Sequence, residues 1–172
     1  MGKPLIGILM GSDSDYEVMR EAAQALQEFD VPFEMLVTSA HRSPQRTSEY
    51  VVSARARGIR ALIVGAGAAA HLAGVVAAET TLPVIAVPID STALKGLDAL
   101  LATVQMPGGI PVATMAIGKA GAKNAGLFAV QLLAVTDQAL AERMAKARTL
   151  MAEAVAEKSE RLQQRLRADG LL

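Results

Sequence analysis

Apolar positions fall into two rhythms along this chain, unbroken short runs and helically spaced stripes, and the two alternate. Leu5 to Met10 is a continuous apolar run that stops at Gly11, as expected of a strand covered on both faces. After Gly11-Ser12-Asp13-Ser14-Asp15, the residues Val18, Met19, Ala22, Ala23, Leu26 and Phe29 recur at helical spacing, with Ser14 and Glu17 placed as a capping box at the helix start. Phe33 to Thr38 predicts a second strand, followed by a helix from Pro44 to about Arg57 that ends at Gly58, a natural C-cap. Ala61 to Val64 predicts a third strand, which empties into Gly65-Ala66-Gly67 and the Ala-rich run to His71, then a short helix to about Glu79. Val84 to Val87 is a fourth strand with Pro83 and Pro88 at its ends, and a helix lies near Leu97 to Val104. Gln105 to Pro111 reads as a loop by its Gly and Pro content, and Val112 to Ile117 as a fifth strand. Gly118 to Asn124 then leads to a helix through about Leu133.

Five strands alternating with helices predict an α/β protein with a doubly wound parallel sheet and right-handed crossovers. Ligands of such sheets bind at the carboxyl ends of the strands, where all the polar, glycine-rich segments of this chain fall. The last segment, Thr136 to about Arg167, differs. Leu140, Met144, Ala147, Met151, Ala154 and Val155 form an apolar stripe, and Arg161, Arg165 and Arg167 suit a helix C-terminus. Some 30 helical residues span about 45 Å, against an expected radius of gyration of about 16 Å for the chain. A helix of that length projects and packs on another subunit, or else folds back over its own domain.

Composition narrows the choice of function. A length of 172 residues fits one domain, residues 1–172, with a core over about 3–135 and the helix over about 136–168. Lys plus Arg and Asp plus Glu are equal at 17 each, so no global field favours nucleic acid or an anionic membrane, and any anion site is local. There is no cysteine, which excludes disulfides, thiolate catalysis and sulfur-ligated zinc and suits a reducing cytoplasm. The apolar run at the N-terminus reaches Asp13 and Asp15 too soon for a signal peptide. Ala61 to Ala78, interrupted by His71, reads as a strand running into a helix and not as a membrane span.

The candidate chemistry lies in the loops. Ser39-Ala40-His41-Arg42-Ser43-Pro44 sets a titratable imidazole beside a fixed cation able to grip a phosphate or carboxylate in forked geometry. Taken alone, the stretch reads as Ser43 capping a helix with Pro44 at its first position. Ser12 and Ser14 suit a phosphate at a helix start, whereas Asp13 and Asp15 repel one, so at least one carboxylate is expected to face a donor such as a sugar hydroxyl. The pattern suggests a ribose phosphate. Gly65 and Gly67 allow close backbone approach to a ligand. His71 is either a second acid–base group or, the preferred reading for a histidine in an apolar segment, a packed and hydrogen-bonded structural residue. Met106-Pro107-Gly108-Gly109 is a lid over a planar base or a tight connection, and Lys119 and Lys123 add positive charge or are solvated. With no Trp and 3% aromatic residues the chain is a poor flavin binder, and Gly65-Ala66-Gly67 stands where a phospho-acceptor receiver carries aspartate.

With these residues in place the chain resembles the PurE family of purine biosynthesis. The matching stretches are Met10-Gly11-Ser12-Asp13-Ser14-Asp15, Ser39-Ala40-His41-Arg42, Gly65-Ala66-Gly67 with Ala69-Ala70-His71-Leu72, Gln105 to Gly109 and Ala116 to Ala125, in register from about Ile6 to Ala134. The likeness is to the bacterial, carboxyl-moving branch more than to the animal-type carboxylases, which carry Lys after the loop His. The resemblance implies a flavodoxin-like three-layer fold, a cytoplasmic homo-octamer with sites at subunit junctions, and no metal or organic cofactor. It implies a small-molecule substrate, an aminoimidazole ribonucleotide derivative together with CO2, and no nucleic acid or membrane partner. His41 is the implied acid–base group, Ser12 and Asp15 hold the nucleotide, and Ser14, Ser39 and Arg42 surround its phosphate. Gly67, His71 and Leu72 are counted with the substrate-binding residues. Departures from the family pattern are Ala68 for a common glycine, Ala73 for a common proline and Tyr16 for a frequent Trp.

The implied reaction moves a carboxylate from the exocyclic nitrogen of the substrate to its ring carbon. Two other readings remain at this level: a carboxylase that draws CO2 from solution, and a nucleotide-sensing module that needs Ser12, Asp15 and Arg42 but not His41.

Overall fold

The continuous apolar runs become the buried middle of a parallel sheet in the computed structural model, which describes residues 2–172. β1 (Ile6–Met10), β3 (Ala61–Gly67) and β4 (Val84–Ile89) occupy the centre, with β2 (Phe33–Val37) and β5 (Ala113–Thr114) at the edges, in the order β2-β1-β3-β4-β5. All neighbouring strands run parallel. The central strands need apolar residues on both faces because helices cover both, and β1 is buried at every position, whereas β2 at the edge is only half-buried.

α1 (Tyr16–Glu28) and α5 (Lys119–Ala134) cover one face: Gly126 of α5 lies against the backbone of Ala22, and Met19 of α1 reaches Gly65 of β3. α2 (Pro44–Arg57), α3 (Leu72–Glu79) and α4 (Leu97–Val104) cover the other, where Val51, Ala54, Val76 and Ala99 pack with Leu9, Leu62, Val64 and Ala86. The result is the expected three-layer, flavodoxin-like α/β arrangement. Side chains such as Ile63 and Leu62 are fully buried, each worth roughly 1.5–3 kcal/mol of transfer free energy. At the β2 edge, Glu34 accepts hydrogen bonds from the Tyr50 hydroxyl (2.7 Å) and from Arg57, whose guanidinium lies 4.6 Å from the Tyr50 ring centroid. Burial, reinforced by the bond to Glu34, pushes the Tyr50 hydroxyl well above its ordinary range.

The register places the loops that matter side by side. Met10 is level with both Val37 and Gly65, and Gly67 with Ile89, so the chain leaves β1, β2, β3 and β4 at one edge of the sheet.

Several boundaries differ from the sequence reading. The third strand continues through Gly65, Ala66 and Gly67, because each still has a partner on β4. The fourth passes through Pro88 to Ile89, since β5 is short and the missing N–H of Pro88 falls where the chain beside it is already turning away. β5 shrinks from the expected Val112–Ile117 to two paired residues; beyond them Met115 donates to Ala86 and Gly118, at φ 76°, donates to Pro88. That reversal lets α5 begin at Lys119, so Lys119 and Lys123 belong to helix and not to a glycine-rich loop. Gly121 permits the reversal, as any Cβ there would overlap the carbonyl oxygen of Ala116.

The chain divides into two units, the second running from Ala134 to Leu172. This second unit is mainly α6 (Gln138–Ala168), 31 residues long, begun by Asp137, whose carboxylate accepts the Leu140 N–H at 3.0 Å. Leu140 is buried, Met144 and Ala147 are half-buried, and Met151, Ala154 and Val155 are exposed. Among the described residues no helix is long and apolar enough to cross a membrane.

Candidate active site

Four loops and the end of β3 enclose a cleft of about 240 Å³ at the carboxyl edge of the sheet. Each residue that the family resemblance implies for the site borders it, from Ser12, Ser14 and Asp15 through Ser39, His41 and Arg42 to Gly67, His71 and Leu72.

The loop after β1 supplies Ser12, Ser14 and Asp15. A single 3-10 turn, Asp13–Asp15, precedes α1, and the capping box belongs to Ser12 and Asp15, correcting the sequence assignment to Ser14 and Glu17. The Ser12 hydroxyl accepts the Ser14 N–H at 3.3 Å, and the Asp15 carboxylate accepts the Ser12 N–H at 3.2 Å. Both pairs satisfy the local spacing. The inner one prevails because the turn buries Asp15, 7% exposed, while Glu17 stays in solvent beside Arg20. The Asp15 carboxylate thus faces a backbone donor of its own loop.

Burial pushes the Asp15 carboxyl above its ordinary value of 3.8; the Ser12 N–H opposes this and the charge of Asp13 adds to it. The folded chain therefore binds this proton more tightly than the unfolded chain. The contribution of Asp15 to stability is present in full below 3.8 and is lost as pH rises through the folded-state value. Urea unfolding of wild type and Asp15→Asn between about pH 3.5 and about pH 6 is expected to show wild type losing stability relative to the variant as pH rises. The opposite slope would mean that the Ser12 bond outweighs burial.

The loop after β2 supplies Ser39, His41 and Arg42. Here Ser43 does not cap α2 through its side chain, contrary to the simplest reading of the stretch. Its hydroxyl accepts the Ser39 N–H at 3.0 Å and donates back to the Ser39 carbonyl at 3.2 Å, while the Arg42 N–H donates to the Ser39 hydroxyl at 3.2 Å. The loop is tied into a knot by its own serines, and a buried Thr38–Thr47 hydroxyl contact of 2.7 Å fixes its base. His41 and Arg42 stand exposed at the tip, with the Arg42 guanidinium donating to the Gly11 carbonyl at 3.1 Å and thereby joining this loop to the first.

β3 and the start of α3 supply Gly67, His71 and Leu72. Leu72 is buried as floor, but His71 is exposed, which corrects the preferred reading of it as a packed structural residue. Its Nδ1 lies 3.0 Å from Nε2 of His41, with the ring centroids 5.1 Å apart and the planes at 78°. The apolar letters around His71 are turned into the core cluster, while position 71, just before α3, opens on the cleft.

Ser91, on the loop after β4, also borders the cleft and was not singled out as a site residue. Its signal was position alone, past a strand at the binding edge. Gly67 makes room for it: a Cβ at 67 would meet the Ser91 hydroxyl oxygen at 2.1 Å. Lys119, Lys123 and the segment Met106–Gly109 do not border this cleft, and Met106 instead lies near Gly74 of α3. Among the described residues no group of three or more His, Asp or Glu side chains is placed to hold a metal.

Ala68, which leads from β3 toward His71, has a φ of 53°, in the left-handed region. A side chain there costs about 1–2 kcal/mol, which explains why glycine is the natural occupant. Ala68→Gly removes that strain and adds about 0.5–1 kcal/mol of unfolded-state entropy, so a net gain of up to about 1 kcal/mol is expected, seen as a Tm rise of about 2–4 °C. A fall in Tm would mean that the Ala68 methyl makes contacts worth more than the strain.

Comparison with known proteins gives the family of the chain. The chain is 54% identical over 160 residues to the N5-carboxyaminoimidazole ribonucleotide mutase of Bacillus subtilis, covering 93% of this chain and 99% of that one. It is 49% identical over 161 residues to the mutase of the same name from Thermotoga maritima, covering 94% and 93%. The crystal structure of Treponema denticola PurE superposes with a TM-score of 0.84 at 27% identity, over 92% of this chain and 98% of that one. Residues 5–154 match the family described as AIR carboxylase, and with a match of that extent the chain belongs to this family.

Proposed function

We propose that this chain is an N5-carboxyaminoimidazole ribonucleotide mutase, an isomerase of purine biosynthesis that moves the carboxylate from the exocyclic nitrogen to the ring carbon. The observation that carries the reading is the convergence of His41, Arg42, Ser12, Ser14 and Ser39 on one small cleft. Arg42 and the three serines take the phosphate and Asp15 the ribose side of the nucleotide. Gly67, His71 and Leu72 border the base, and His41 stands over the reacting atoms.

In the acid form, His41 gives its proton to the carbamate nitrogen. The C–N bond breaks with its electron pair left on nitrogen, releasing CO2. The electron-rich ring carbon attacks CO2, forming the new C–C bond and leaving that carbon with both hydrogen and carboxylate. Neutral His41 then removes the ring proton, whose bonding pair restores aromaticity, and the imidazolium is regenerated. One residue serves both steps because its proton returns each turnover. The small residues Ala40, Ala66 and Ala69 around the cleft leave space for CO2 beside the nucleotide, whose binding would displace water from the rest of it.

The working form is a cytoplasmic octamer of single-domain chains, in which another subunit covers the exposed Met151, Ala154 and Val155 of α6. Support for this is the length of apolar surface the isolated helix leaves in solvent.

Purified protein supplied with the N-carboxylated nucleotide, in buffer stripped of bicarbonate and ATP, is expected to form product at full rate. Activity only on aminoimidazole ribonucleotide with added bicarbonate would replace the mutase by a direct carboxylase, and inactivity under both conditions would leave a nucleotide-binding module.

A further inference from the structure

The contact between the two histidines constrains the chemistry more than its length suggests. A neutral imidazole carries one N–H and one lone pair, and an imidazolium carries two N–H groups. With Nε2 of His41 3.0 Å from Nδ1 of His71, one of the two nitrogens donates and the other accepts. Either His41 carries its proton on Nε2 and His71 accepts, or His71 donates from Nδ1 and the His41 proton sits on Nδ1.

Only the first arrangement survives a full turnover. When His41 is an imidazolium both its nitrogens carry protons, so His71 must accept. When His41 is neutral and has to take the ring proton, its open nitrogen, Nδ1, must present a lone pair, so the remaining proton must again be on Nε2. The backbone holds His71 in place: its main-chain N–H donates to the Ala69 carbonyl at 2.7 Å and its main-chain carbonyl accepts from the Val75 N–H at 3.0 Å, which anchors the residue at the start of α3. The His41 loop is knotted independently by Ser39 and Ser43. The contact therefore joins two stiff loops that follow different strands.

We propose that His71 is a positioning residue that holds the proton of His41 on Nε2, so that Nδ1 of His41 alone alternates between acid and base. The choice between the two tautomers rests on the proton cycle of the mutase reading; the spectroscopic reading of the tautomer does not depend on activity. Asp15 and Arg42 are the other charged residues lining the cleft; Arg42 is engaged with the Gly11 carbonyl and Asp15 with the Ser12 N–H, leaving the imidazole pair to each other.

The chain has 2 histidines, so nitrogen spectra of histidine-labelled whole protein contain only the signals in question. At about pH 8, above the ordinary histidine range near 6.5, wild type is expected to show His41 with its proton on Nε2 and His71 with a bare Nδ1. His71→Leu removes the acceptor and is expected to populate the Nδ1–H form of His41 and to lower kcat by roughly 10-fold with KM little changed. His71→Asn, whose side-chain oxygen can stand near the Nδ1 position, is expected to restore both the single tautomer and most of kcat. A wild-type spectrum with the His41 proton on Nδ1 would overturn the assignment, as would a His71→Leu variant with unaltered tautomer and kcat. Loss of kcat in His71→Leu that His71→Asn does not restore would make His71 a structural residue only. If wild type has no mutase activity, the spectrum still decides the tautomer, so the two failures are distinguishable.

Discussion

His41→Asn is expected to lower kcat for carboxyl transfer by about 100- to 10,000-fold, the usual worth of a positioned proton donor and acceptor, while nucleotide affinity stays within a few-fold of wild type. The separation follows from where the side chain stands. His41 is exposed at the tip of its loop, its ring is bonded to His71 and not to the core, and the loop is held by Ser39, Ser43, Thr38 and Thr47. Asparagine removes the titrating nitrogen without opening a cavity or loosening that knot. Arg42 and the serines of the first two loops, which would hold the phosphate, are untouched. Calorimetric binding of aminoimidazole ribonucleotide, set beside the turnover rate, checks both halves. A variant that still turns over at near the wild-type rate would remove His41 from the mechanism, and one that loses binding in proportion to turnover would make it a substrate-holding residue.

Gly126→Ala is expected to destabilise the fold by about 2–3 kcal/mol, although alanine is the better helix former. Position 126 lies inside α5, where replacing Gly by Ala would by itself gain up to about 1 kcal/mol. A Cβ there, however, would lie 2.6 Å from the carbonyl oxygen of Ala22 and 2.8 Å from the Ala25 Cβ. Neither neighbour is the end of a flexible side chain, so α1 and α5 would have to separate, at the 1–3 kcal/mol or more typical of overpacking, roughly. For a chain of this size 1 kcal/mol moves Tm by about 2–4 °C, so thermal unfolding at fixed protein concentration should show a fall of several degrees. A rise would mean that the helices have room to shift and that propensity decides.

The fold and the site were unequally legible in the sequence. The buried strands could be read because a parallel strand covered on both faces writes itself as an unbroken apolar run, as in Ile6–Met10 and in Val84 to Val87, the part of β4 ahead of Pro88. The edge strand β5 could not, since Val112 to Ile117 carries the same letters but only Ala113 and Thr114 find a partner. His41, Arg42 and the serines stood out because polar loops after apolar strands are where an α/β sheet holds its ligand.

What the sequence determined by itself is what depends on neighbours along the chain: the alternation of strands and helices, the C-cap at Gly58 with φ 102°, and the polar loops that follow the apolar strands. Two capping boxes satisfied the same spacing at the start of α1, and only the burial of Asp15 chose between them. The His41–His71 contact joins residues 30 positions apart, and Ser91 enters the cleft from a fourth loop. Both depend on the strand order β2-β1-β3-β4-β5, in which β1 lies between β2 and β3 and the loops after β2, β3 and β4 meet at one edge of the sheet. Local spacing carries no record of that order, because it is settled by which apolar faces can be buried against one another in three dimensions.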